Sequence, residues 1–237
     1  MYHQAMSRKV HTDSRSFAAV DLFRGVSERG LHKIAELARV RQLRRRASVF
    51  SQDCAEVRAH AVLEGAVNIV QSASDGSQVA MRIVGPGQTF GTVSLFTNGR
   101  YPADAVTMSE TLEASWSETD FLSLVDSHPP IAVNLIRIIG TRLREMQDRV
   151  RELSTVNAER RIAHTVLRLA GQNGRKTSAG IALDVPLRRK DIAELAGTTL
   201  HTASRLLSGW EKAGTITNRK RILTIARPAE LRAIAGI

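Results

Sequence analysis

The 237-residue chain is 43% hydrophobic and 24% charged, with a net charge of +11. That balance excludes wholesale disorder, and no run of about 18 uncharged apolar residues is present to span a membrane. A single cysteine, Cys54, excludes an internal disulfide framework and any all-cysteine metal cluster within one chain. The segment MYHQAMSRKVHTDSRS lacks the apolar stretch of a secretion signal, so a cytoplasmic protein is expected. The charge is unevenly placed. Residues 157–237 hold 15 Lys+Arg against 6 Asp+Glu, while the other 156 residues hold 19 against 17. A basic third joined to a near-neutral remainder suits a polyanionic partner, because displaced counterions drive such binding.

In chain order, residues 1–16 read as a polar, flexible N-terminus. Residues 17–39 carry apolar side chains at helical spacing, with Ser27 as N-cap for a stretch ending near Ala38. From about 40 to 116 the period changes to two. Val79, Met81 and Ile83 alternate with Ala80 and Arg82, Val67 and Ile69 flank Asn68, and Leu112, Ala114 and Trp116 alternate with Glu113 and Ser115. Turn signals at Asp75-Gly76, Gly85-Pro86-Gly87 and Asn98-Gly99 cut this region into short strands, as in an antiparallel roll or barrel. Ser117-Glu118-Thr119-Asp120 opens a short helix through about Asp126.

Pro129 and Pro130 suit the first turn of a long helix, 129 to 153. Along it Ala132, Ile136, Ile139, Leu143, Met146, Val150 and Leu153 succeed one another at steps of four and three, a coiled-coil seam expected to pair two copies of the chain. A shorter helix over Glu159–Ala170 comes after a break near Ser154–Asn157. Then come a loop over Gly171–Gly180, a short strand over Ile181–Val185, and helices over Asp191–Ala196 and Thr199–Ala213. A hairpin around Asn218-Arg219-Lys220 and a last helix after Pro228 complete the chain.

The most specific stretch is RRKDIAELAGTTLHTASRLLSGWEKAGTI, residues 188–216. It reads as two helices at a steep angle around Gly197, the second opened by Thr198 or Thr199 as N-cap, with apolar Ile192, Leu195, Ala196, Ala203, Leu206, Leu207 and Trp210 between them. Leu200, His201, Thr202, Ser204 and Arg205 are left near or along the outer face of the second helix. Such a helix fits the major groove of DNA, and Arg219, Lys220 and Arg221 form a basic wing for the phosphate backbone.

On these residues the chain resembles the cAMP receptor protein/fumarate-nitrate regulator (Crp/Fnr) family. LEGAVNIVQSASDGSQVAMRIVGPGQTFG and GTVSLF match its roll; RRIAHTVLRLA and IAELAGTTLHTASRLL match its DNA-binding half. The resemblance implies an α+β fold. It comprises a cyclic-nucleotide-binding-type β-roll sensor domain over 17–128, a dimerisation helix over 129–156 and a winged helix-turn-helix over 157–237. It also implies a homodimer on palindromic duplex DNA, acting with RNA polymerase. Thr199 is then the cap of the recognition helix, Arg205 the reader of a guanine edge and Arg189 a phosphate contact. His201 stands where many members carry a base-reading glutamate, and Arg188 where a capping serine or threonine is common. In the roll, Gly91, Thr92, Val93, Pro102 and Ala103 occupy the effector positions. Thr92 replaces a ribose-binding glutamate, and Pro102-Ala103 replaces a phosphate-binding arginine-serine pair, so cAMP is not expected to bind.

No iron–sulfur cluster is expected from one cysteine. Haem held by His11, His60 or His128, a redox switch at Cys54, and regulation without a ligand remain alternatives for the sensor. From other classes, a small-molecule sensor acting on a protein partner lacks a reason for the winged helix-turn-helix. A cupin-like enzyme would need clustered histidines in the roll. No catalytic set or resident metal site is legible, and no enzyme is expected.

Overall fold

The structure, a computed structural model, describes residues 8–9, 13–72, 78–219 and 221–237. It falls into two units, Met1–Leu143 and Arg144–Ile237, each described by itself.

The first unit opens with β1 (Arg8–Lys9), α1 (Arg15–Ala18), a 3-10 turn (Asp21–Phe23) and α2 (Glu28–Leu37). The segment 1–16, expected to be free of the fold, is thus partly engaged: Arg8 and Lys9 pair with Gln42 and Arg41. Nearby, Phe17 is fully buried with its ring edge-on to Trp116. Burying one large aromatic outweighs the polarity of its neighbours. Ser27 caps α2 as expected, its Oγ accepting from the Gly30 N–H at 3.2 Å.

Eight further strands form the roll: β2 (Arg39–Leu43), β3 (Ser48–Phe50), β4 (Arg58–Glu64), β5 (Val67–Ser72), β6 (Gln78–Val84), β7 (Thr89–Phe90), β8 (Asp104–Thr107) and β9 (Thr111–Ser117). They pair antiparallel in two sheets, ordered β1-β2-β9-β4-β7 and β3-β8-β5-β6. One side of the first sheet packs Ala114 and Trp116 against Phe17, Phe23 and Ile34, and the Trp116 indole N–H donates to the Ile34 carbonyl at 2.9 Å. The expected alternation in β6 is interrupted. The register slips so that Ile69 faces Arg82 and Val70 faces Ala80, leaving Met81 as the extra residue of a bulge. A bulge reverses the facing of the residues beyond it, and so both Ala80 and Ile83 become buried while Val79 stays exposed. The Asp75-Gly76 turn lies outside the described residues.

After α3 (Glu118–Ser127), capped by Ser117, α4 runs over Pro129–Thr155, 27 residues or about 40 Å at 1.5 Å per residue. The boundary between the two units falls inside this helix rather than at its ends, because its halves have different partners. Ile131, Leu135 and Ile138 pack on the core of the roll, and the Asn134 amide donates to the Leu22 and Arg24 carbonyls. In the second unit, Glu152 of α4 pairs with Arg168.

That unit continues with α5 (Ala158–Asn173), β10 (Gly174–Thr177), β11 (Gly180–Leu183), α6 (Arg189–Leu195), α7 (Leu200–Ala213), β12 (Ile216–Arg219), β13 (Ile222–Ile225) and α8 (Pro228–Ala235). Its sheet is ordered β10-β11-β13-β12. The stretch 171–180, read as a loop, instead finishes α5 and forms β10, which hairpins onto β11. Its residues Arg175, Lys176 and Thr177 are polar because β10 is an edge strand, and an edge carries no buried face to mark it.

Candidate nucleic-acid interface

The two helices of the DNA-binding motif are built from local chemistry. Arg188 has no capping oxygen, and the cap of α6 is supplied from within: the Asp191 carboxylate accepts the Arg188 backbone N–H at 2.8 Å and its guanidinium at 2.6 Å. Ala196 and Gly197 then turn the chain, Gly197 with φ +61°. Thr199 opens α7, its Oγ1 accepting from the Thr202 N–H at 3.2 Å, and Gly214, in the left-handed conformation, closes it. Ala203, Leu207 and Trp210 face inward onto Ile192, Leu195 and Ala196 of the buried core.

Opposite that core, Thr199, Leu200, His201 and Arg205 are exposed, with Thr202 and Ser204 half-buried beside them. The residues expected to read DNA thus lie along one face of one helix, within its first two turns. Arg189 behaves differently from a simple surface cation. It braces α6 to α7 by donating to the Ser204 carbonyl at 3.1 Å, Ser208 Oγ at 2.7 Å and Glu211 at 3.0 Å. The β12–β13 hairpin carries Arg219 and Arg221, the latter at φ +68° in the turn; Lys220 lies outside the described residues.

The expected seam on α4 is an exposed apolar stripe. Ile136, Ile139, Leu143, Met146, Val150 and Leu153 are between 39% and 71% exposed, although Leu, Ile and Val normally seek the interior. Leu153 also lies against the helix-turn-helix: a Cβ on Gly197 would sit 2.5 Å from its Cδ2.

In the roll, the effector positions do not all share one environment. Thr92 and Ala103 are buried, the Thr92 hydroxyl without a hydrogen-bond partner, whereas Val93 and Pro102 are exposed. Gly91, at φ +73°, presses its Cα side against the His60 ring, the Arg58 carbonyl and the Tyr101 ring, so a side chain there would collide. Tyr101 thereby links the segment at Gly91 to the segment at Pro102 and Ala103.

Behind these residues lies a buried polar network that the alternation of β9 conceals. Glu113, which alternates with Leu112, Ala114 and Trp116, is fully buried. His60 Nδ1 lies 2.5 Å from Glu113 Oε1, His60 Nε2 lies 2.9 Å from the Tyr101 hydroxyl, and Arg41 Nε donates to Glu113 at 2.8 Å. Burial drives the His60 pKa down despite the Glu113 carboxylate beside it. Burial alone would raise the Glu113 pKa, but the hydrogen bond from His60 and the Arg41 guanidinium beside it hold it below the usual carboxylate range. The two directions agree on one state, a neutral imidazole donating Nδ1–H to an ionised carboxylate. Tyr101, also buried, is pushed up to about 12. Both ring nitrogens of His60 are therefore engaged and point away from a haem-ligand role. His128 packs beside Gly30, and His11 lies outside the described residues. Cys54 is exposed.

A β-roll sensor preceding a winged helix-turn-helix defines a class, the sensor-linked DNA-binding regulators. Residues 40–128 match the cyclic nucleotide-binding domain and residues 160–234 the Crp-like helix-turn-helix domain. The chain is 29% identical over 174 residues to the cyclic AMP receptor protein of Thermus thermophilus, covering 73% of this chain and 77% of that protein. It is 25% identical over 199 residues to a CRP-like cAMP-activated global transcriptional regulator of Mycobacterium tuberculosis, covering 84% and 89%. The catabolite activator protein structure from Thermus thermophilus superimposes with a TM-score of 0.52 at 26% identity, over 91% of this chain and 98% of that one. A CooA variant from Carboxydothermus hydrogenoformans shares the fold with a TM-score of 0.71 at 20% identity, over 96% and 98%. The chain thus carries the two domains of Crp/Fnr-type DNA-binding transcription regulators, and the relatives it resembles are regulators of that type. Among the described residues no helix is long and apolar enough to cross a membrane.

Proposed function

We propose that the protein works as a homodimer, joined along α4, that reads a palindromic operator with α7 of each protomer. It acts by binding rather than by catalysis, in the cytoplasm and in concert with RNA polymerase. The observation that carries this reading is the outer face of α7, where Thr199 caps the helix and Arg205 is exposed two turns in, beside a basic hairpin. Arg205 makes a bidentate contact to guanine O6 and N7. Leu200, His201, Thr202 and Ser204 supply the neighbouring base and sugar contacts, while Arg219 and Lys220 meet phosphates. Arg189 keeps the N–H groups not spent on Ser204, Ser208 and Glu211 for the backbone of the same half-site.

The sensor domain, residues 17–128, works without cAMP. Thr92, Pro102 and Ala103 supply neither the carboxylate for a ribose nor the guanidinium for a cyclic phosphate. Selection of an operator from random duplexes, and then fluorescence anisotropy, tests the whole reading. Arg205→Ala should cost about 1–3 kcal/mol per half-site and relax the choice of base at one position. Unchanged affinity and base preference would remove α7 from the role of reader.

A further inference from the structure

The C-terminal end of α6 and the turn after it leave carbonyl groups that no helical N–H can satisfy, and the helix dipole makes that end attractive to cations. Two arginines from outside the motif answer it. Arg161, at the start of α5, donates from Nε to the Ala196 carbonyl at 3.0 Å and from Nη2 to the Gly197 carbonyl at 3.1 Å. Its Nη1 reaches the opposite way, to the Val156 carbonyl just beyond α4, at 2.6 Å. Arg149 of α4 adds a contact to the Glu194 carbonyl at 3.3 Å. One planar guanidinium thus joins the end of the seam helix to the turn from which the recognition helix departs. Gly197 closes the same junction from the apolar side, its φ of +61° favouring glycine and its Cα facing the side chain of Leu153, the last residue of the seam.

We infer that Arg161 is a positioning residue for operator reading, one that sets the direction of α7 relative to the seam half of α4 that shares its unit. This rests on the proposed dimeric DNA-binding function. A two-fold protein must present its two recognition helices to major grooves one helical turn apart, about 34 Å. An angular error at the Ala196–Gly197 turn is carried along the whole of α7, so a loose clamp blurs the distance between the two readers without altering any base contact. Arginine is needed because its rigid fork spreads its donors over three nitrogens and so reaches carbonyls on opposite sides; the three donors of a lysine ammonium share one nitrogen and swivel.

The experiment compares the unaltered full-length protein with Arg161→Ala and Arg161→Lys. Each is titrated onto its selected palindrome, onto the same palindrome with one base pair added to or removed from the centre, and onto a lone half-site. Circular dichroism and Trp210 fluorescence check that each variant is folded. The expected result is a several-fold loss of preference for the native spacing in Arg161→Ala, an intermediate loss in Arg161→Lys, and a lone half-site bound as before. An unchanged spacing preference in Arg161→Ala overturns the inference. So does an equal loss on palindrome and half-site, which is the mark of a merely weakened fold. If the unaltered protein selects no operator, the dimeric DNA-binding reading falls first, and the two failures are told apart.

Discussion

The buried His60–Glu113 pair should make the roll acid-labile, in a direction set by both pKa shifts. In the unfolded chain His60 titrates near 6.5, whereas in the fold burial holds its pKa lower. Between those two values the unfolded state binds the extra proton, so stability is lost as pH falls through that window. Glu113, also depressed, adds a further loss at lower pH, as pH falls through its folded pKa. For one histidine that stays neutral in the fold, integration from pH 7.5 to 5.5 gives at most about 1.4 kcal/mol. With a urea dependence of about 1–3 kcal/mol per molar, the unfolding midpoint of the roll should drop by at most roughly 0.5–1.4 M.

The assay is clean because the chain has two tryptophans, one in each unit: Trp116 is buried between Phe17 and Phe23, and Trp210 lies in the helix-turn-helix. In a Trp210→Phe background, fluorescence reports the roll alone. His60→Asn keeps a donor for Glu113 and removes the titrating group. It should lower stability at pH 7.5, because the Tyr101 hydroxyl loses its partner at 2.9 Å and keeps only the Arg58 carbonyl, at 3.2 Å, as acceptor, yet flatten the change between pH 7.5 and 5.5. If the unaltered protein and His60→Asn lose stability in parallel over that range, His60 is not the group responsible and the reasoning is wrong.

Leu143→Asp with Val150→Asp should convert the dimer to monomer, since the seam would then bury like charges against each other; sedimentation equilibrium decides it. Calorimetry with cAMP at micromolar concentration should give no heat of binding, and operator affinity should be the same with and without it. Lys220→Ala should weaken every duplex alike and lower the salt slope by about one per half-site, in contrast to the base-selective loss at Arg205.

Periodicity alone located most of the elements. The change from period two to a heptad repeat at Pro129, the glycine turn at Gly197 and the caps Ser27 and Ser117 are local signals, and local signals survive in a linear string of residues; between Thr198 and Thr199 the structure chose Thr199. The exposed face of α7 and the apolar stripe of α4 were legible for the same reason, each lying on one helix. Facing was legible only where one face meets solvent. In β9 both faces are covered, and alternation alone does not tell that the Glu113 side is buried; Arg41 and His60 come within its reach only when β2 and β4 pair with β9. The bulge at Met81 and the edge strand at Gly174–Thr177 escaped because pairing partners, not intrinsic preference, decide them. Arg161 looked like one more basic residue in a basic module. Its role depends on three carbonyls contributed by Val156, Ala196 and Gly197, and a carbonyl leaves no trace in the side-chain pattern from which a sequence is read. Groups that act through their own helix face were therefore determined by sequence. Groups that act by filling another element's unmet hydrogen bonds were decided by the tertiary structure, because burial makes such bonds obligatory only once the elements meet.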